Sequence, residues 1–174
     1  MFALKIVGTV CITGATTLYA RGLVNELSCR IAALKAIKQS FTTLKGELRY
    51  GVETLPSAFM HVGERCSCGQ ETVRDFFWNT GNRLKTENGS ILKEVWEEEA
   101  KKLAAAACLN GNECDNLIAV ADSLGYLDLT QQTNNIELYL QSVDESIEAL
   151  SGKYEQNSRM YMLSLIHIPS PRDS

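Results

Sequence analysis

From Ile136 to Tyr161 the apolar residues recur in alternating steps of four and three: Ile136, Leu140, Val143, Ile147, Leu150 and Tyr154, then Asn157 and Tyr161. Side chains so spaced share one face of an α-helix, and a helix with such a seam lies along another helix. Glu137, Gln141, Asp144, Glu148, Lys153 and Glu155 fall off the seam and face water. The seam carries no paired carboxylates, no histidine and no cysteine. The chain therefore reads first as a helical interaction module.

Proline scarcity extends that reading to the whole chain. Of three prolines, Pro169 and Pro171 lie in the last six residues and only Pro56 is internal. Long uninterrupted helices are then allowed almost everywhere, because proline is the residue that breaks them. At 174 residues the chain has room for one domain plus attachments. Its net charge of −4 gives no basic footprint for nucleic acid.

Residues Phe2 to Ala20 contain one charge, Lys5. A helix of that length spans ~28 Å, close to the roughly 30 Å hydrocarbon core of a bilayer. Residues 1–20 are thus expected to form an N-terminal membrane anchor. A signal peptide is the rival, but Leu18 stands where cleavage requires a small residue. A buried core helix is the third reading, and the lack of charge from Ile6 to Ala20 counts against it. Arg21, Arg30, Lys35 and Lys38 follow the segment, a bias that keeps the body of the chain in the cytoplasm.

The body, residues 21–162, is expected to be a compact bundle of about five to six helices with long first and last members. Leu27, Ile31, Leu34, Ile37, Phe41, Leu44 and Leu48 stripe a helix over Leu23 to Tyr50. Gly51 caps it, and Pro56 opens a short helix over about Ser57 to Glu64. Glu71 to Lys85 follows, with Val73, Phe76, Phe77 and Leu84 inward. Asn88-Gly89-Ser90 supplies a turn and an N-cap. Helix four spans Ile91 to Cys108, with Leu92, Val95, Trp96, Ala100 and Leu103 inward. Glu97-Glu98-Glu99 beside Lys101-Lys102 reads as a solvated face with near-neighbour ion pairs. Glu113 to Leu124 is a fifth helix, and Asp128 with Gln131 forms a capping box for the long last helix. No strand alternation, phosphate loop or nucleophile motif is present in the sequence.

Six cysteines invite a disulfide or metal reading. Cys11, Cys29 and Cys108 sit in apolar or helical patterns and read as small buried side chains in a reducing compartment. Cys66-Ser67-Cys68 with His61 upstream is the one zinc candidate, but a structural site takes about four ligands, usually from two paired clusters. No metal or other cofactor is assigned.

Several patterns, in order, resemble the stage III sporulation protein AB family of endospore-forming bacteria. The apolar N-terminus leads to Leu48-Arg49-Tyr50-Gly51 and Thr54-Leu55-Pro56, then Trp96-Glu97-Glu98. Leu124-Gly125-Tyr126-Leu127-Asp128 with Gln131 and Gln132 follows, and Asn157-Ser158-Arg159-Met160-Tyr161 closes the series. The resemblance covers about Leu4 to Tyr161. It implies two membrane helices flanking a cytoplasmic helical domain similar to those of the type II secretion and type IV pilus platform protein. It also implies a place in the membrane of the mother cell, in the complex linking it to the forespore. The implied partners are the secretion-type ATPase of the same operon and other stage III sporulation membrane proteins. No catalytic residues carry over, so the chain is expected not to be an enzyme.

The chain departs from that family at its end. Residues 163–174 read LSLIHIPSPRDS, whose prolines and Arg-Asp pair do not continue a spanning helix. They resemble translated sequencing-adapter DNA and are read as a non-native tail in place of a second membrane helix. The leading expectation is a non-enzymatic membrane-anchored scaffold that docks the ATPase, with Glu137, Gln141, Asp144 and Glu148 as the candidate partner surface. A self-associating coiled-coil adaptor, dimerising through the Ile136–Tyr161 seam, and a small zinc-binding protein are the alternatives.

Overall fold

The computed structural model describes residues 2–50, 54–66, 70–87, 89–125 and 128–166. Side chains are described at 8, 14, 15 and 18, from 21 onward in the first helix, and as far as 156 in the last. Six helices follow one another: α1 (Phe2–Tyr50), α2 (Leu55–Glu64), α3 (Glu71–Thr86), α4 (Leu92–Ala106), α5 (Gly111–Leu124) and α6 (Leu129–Ile166). Each packs on the next, and α6 returns to α1, so the helices close a ring.

The expected anchor and the first bundle helix are one element: α1 runs unbroken across residue 20. With no proline before Pro56 and no turn sequence near Arg21, nothing interrupts the backbone ladder there. Among the described residues no helix is long and apolar enough to cross a membrane. Most side chains of the expected anchor, 1–20, lie outside the described residues. At the other end α6 reaches Ile166, past the expected boundary at 162, while residues 167–174 are outside the description.

Two contacts fix how α1 and α6 pair. Lys38 meets Asp144 at 2.6 Å and Lys45 meets Glu137. Moving seven residues down α1 moves seven up α6, so the helices are antiparallel. Between these clasps the Phe41 and Tyr139 rings lie 4.7 Å apart. The stripe Leu34, Ile37, Phe41 and Leu44 is buried as its spacing requires, and so are Ile136, Val143 and Leu150. From Ile136 to Leu150 the α6 seam is therefore covered within the chain, where the adaptor alternative needs it open to a second copy.

Trp96 is the centre of the core. It is fully buried, with the rings of Phe76, Phe59, Phe41 and Phe77 at 4.8, 5.3, 6.1 and 6.2 Å. Its indole N–H donates to the Leu117 carbonyl at 2.8 Å, so the one polar atom of the ring is satisfied. Four helices thus meet around a single side chain whose burial is worth about 3 kcal/mol.

Local chemistry sets the helix ends. Asn110 and Glu113 form a reciprocal capping box at the start of α5. Asp128 accepts from the Thr130 backbone N–H at the start of α6, and Gln132 donates to the Leu124 carbonyl and ties α6 to the end of α5. Ser90 does not cap α4 either. Its hydroxyl donates back to the Glu87 carbonyl, closing the turn, and Ile91 takes the N-cap position. The expected cap Gly51 is outside the described residues.

Candidate interaction surface

Glu137, Gln141, Asp144 and Glu148 share a face of α6, but they do not share a role. Glu137 and Asp144 are held by the α1 lysines, and hydrogen bonding from Lys45 draws the Glu137 carboxyl below its usual range. Their charge is directed at a neighbouring helix. Gln141 and Glu148 are exposed, as is Glu137 despite its pairing, while Asp144 is half-buried. Surface pairs such as Lys38–Asp144 contribute only about 0.5 kcal/mol each, so they set register more than stability.

A second charged centre lies between α3 and α4. Arg83 donates through Nη1 to Glu98 and Glu99, both at 2.9 Å, and through Nε to Glu87 at 3.0 Å. These three carboxylates raise the guanidinium further above its ordinary range. Lys102 adds contacts to Glu99 at 2.8 Å and Glu98 at 3.0 Å. Lys101 pairs with Glu97 as helix spacing predicts. Glu99, however, is not part of a solvated face: it is 3% exposed. It follows Trp96 by three residues on the buried stripe, the one signal in the sequence that marks it as inward. Glu113 is a second buried acid, gripped by Arg30; the Asn110-x-x-Glu113 pattern was its legible trace.

Of the three zinc candidates, the described residues include two. Cys66 Sγ lies 3.2 Å from the Ser40 hydroxyl, His61 sits on α2, and Cys68 is outside the described residues. Among the described residues no group of three or more His, Cys, Asp or Glu is placed to hold a metal ion. Cys29 and Cys108, expected to be buried, are exposed. Cys108 closes α4 in a left-handed conformation, φ 55°, which turns its side chain out of the stripe that the alanine run follows. Partial desolvation, then the neighbouring Cys29 and Glu26, pushes the Cys108 thiol up.

Among the exposed large apolar side chains, Trp78 and Leu138 each border a groove. Trp78 is 40% exposed in a groove between α2 and α3, beside Arg74. Leu138 is 66% exposed on α6, in a groove against α5. Apolar spacing marks neither: Trp78 lies off the stripe of Val73, Phe76, Phe77 and Leu84, and Leu138 lies off the α6 seam.

A closed all-α ring, with its two longest helices antiparallel and its acids on helix faces, defines a helical-bundle protein whose distinctive chemistry is surface charge. Within that class the chain belongs to the stage III sporulation protein AB family, whose model it matches over residues 5–166. It is 24% identical over 157 residues to stage III sporulation protein AB of Bacillus subtilis (strain 168), covering 90% of each chain. A solved structure of stage III sporulation protein AB (SpoIIIAB) has the same fold, with a TM-score of 0.65 at 20% identity, over 73% of this chain and 97% of that one.

Proposed function

We propose that this protein is a non-enzymatic, membrane-anchored scaffold of the channel complex between mother cell and forespore, docking the secretion-type ATPase of the same operon. Family membership supports a role in sporulation, and the antiparallel register of α1 and α6 supports the anchoring. Because the two helices run in opposite directions, the N-terminal arm of α1 and the C-terminal arm of α6 leave the bundle at the same end. A protein so built meets a membrane with one end and offers the rest of its surface to cytoplasmic partners. Residues 1–20 are the proposed anchor, and the mother-cell membrane facing the forespore is the proposed location.

Gln141 and Glu148 are the proposed ATPase-facing pair, since Glu137 and Asp144 already bind α1. Co-purification of the full chain with the ATPase tests the reading. Retention of the ATPase, weakened by charge reversal at Glu148, is the expected result. Loss of the gene is expected to arrest spores after engulfment; normal spores in the deletion strain would refute the assignment.

A further inference from the structure

We infer that the groove between α5 and α6 is a docking site for a basic amphipathic helix of a partner protein. The groove is a shallow recess of about 490 Å³ whose floor includes Val120 and Tyr139, with Ala119 and Leu138 on its lips and Asn116 and Ser142 beyond them. Val120 and Tyr139 are buried, whereas Ala119 and Leu138 are open to water. Leu138 leaves two-thirds of its area exposed on the lip of this recess, where an aliphatic side chain from another molecule would cover it.

The surrounding charge selects the partner. Along α5 the outward stripe is Asp115, Ala119 and Asp122; along α6 it is Leu138, Ser142 and Glu145. Asp122 lines the groove and is paired with Lys93 at 2.7 Å; at the other end Asn116 donates to the Ser142 hydroxyl at 3.3 Å, and the exposed Asp115 and Glu145 stand just outside the lining, next to Asn116 on α5 and about one turn past Ser142 on α6. Its apolar centre thus lies between a neutralised rim and an acidic one. A helix with leucine-like residues at three- and four-residue spacing, flanked by Lys or Arg, matches both features. Acidic lipid headgroups are repelled by the same rim. A second copy of this chain is the other occupant the groove could take, and the oligomeric state of the free chain separates it from a partner helix.

The groove adjoins the proposed ATPase-facing pair Gln141 and Glu148, so it is tested with a peptide probe and not with the ATPase, and the two readings can fail separately. The probe is a fluorescein-labelled Leu/Lys amphipathic peptide of about 18 residues, five helical turns, alongside the same peptide with Glu in place of Lys. Anisotropy is read against the full chain. The Lys peptide is expected to bind, with at least tenfold weaker affinity for Leu138→Asp and for the double variant Asp115→Lys/Glu145→Lys. The Glu peptide is expected not to bind. Leu138 is exposed, so its variant keeps the helical circular dichroism, which is checked in parallel. Absence of Lys-peptide binding, equal binding of the two peptides, or affinity unchanged in Leu138→Asp would overturn the proposal. A dimer of the free chain that Leu138→Asp dissolves would also overturn it, assigning the groove to a second copy.

Discussion

Arg30 on α1 grips Glu113 on α5 through two parallel bonds, Nε to Oε2 and Nη2 to Oε1, both 2.8 Å long and spanning 83 residues of sequence. The fork of the guanidinium matches the carboxylate, a geometry that lysine does not reproduce. Glu113 also accepts from the Asn110 backbone N–H, so one carboxylate starts α5 and fastens it to α1.

Removing Arg30 leaves that carboxylate nearly buried and short of its cation. Arg30→Ala is expected to destabilise the fold by about 2–3 kcal/mol, and Arg30→Lys by about half as much. Chemical denaturation reads both. A double variant Arg30→Ala/Glu113→Gln that recovers part of the loss would show that the stranded charge carries the penalty; an additive result would place the cost in packing alone.

Two glycines give opposite expectations for the same substitution. A Cβ at Gly81 would meet the Pro56 carbonyl oxygen at 2.6 Å and Met60 Cγ at 2.7 Å, where α2 crosses α3. The oxygen belongs to the backbone and does not rotate away, so Gly81→Ala is expected to cost about 2 kcal/mol despite the higher helix propensity of alanine. At Gly46 nothing lies within 4 Å of the added atom. Gly46→Ala in mid-helix is expected to stabilise by about 0.5–1 kcal/mol. Thermal melts of the two variants moving in the same direction would contradict the α2–α3 crossing described here.

The two tryptophans report on different environments. Trp96 is sealed in the aromatic core, while Trp78 is 40% exposed. Trp78→Phe is expected to leave a blue-shifted emission almost immune to acrylamide. Trp96→Phe leaves only the exposed indole, with red-shifted, readily quenched emission, and costs about 2–3 kcal/mol in the lost packing around the Leu117 carbonyl. Equal quenching of the two variants would exclude the core arrangement.

The apolar spacing made the helices legible, because one stripe per helix is what a two-sided bundle position demands. It was less informative where a helix has two neighbours. Tyr139 was not on the seam traced through Leu140 and Ile147, yet it is 7% exposed, since α6 packs on α5 as well as on α1 and its buried arc is wider than one stripe. Charge identity hid Glu99: a triplet of glutamates looks uniformly solvated, and only its offset from Trp96 distinguishes the inward member. The candidate surface was half legible for the same reason. Periodicity put Glu137 and Asp144 off the core correctly, but it carries no information about Lys45 and Lys38, 92 and 106 residues away, which claim them.

Tyr139 predicts an alkaline weakness of the fold. Burial first, then the nearby Glu113 and Cys114, raises its phenol well above the ordinary value of 10.0. In the unfolded chain the phenol ionises near pH 10, whereas in the fold it keeps its proton. Above that pH the native state therefore binds more protons than the unfolded state, so stability falls as pH rises. Below it both states are protonated and the residue imposes no pH dependence. Denaturation midpoints are expected to be flat in this residue's contribution through neutrality and to drop beyond pH 10. Tyr139→Phe, which keeps the ring against Phe41 and deletes the ionising oxygen, is expected to flatten that drop. The absorbance of phenolate, followed on a pH jump, gives the kinetic counterpart: one tyrosine should ionise only at the rate of unfolding. If that slow phase persists in Tyr139→Phe, the ring is not the buried group that α5 and α6 enclose.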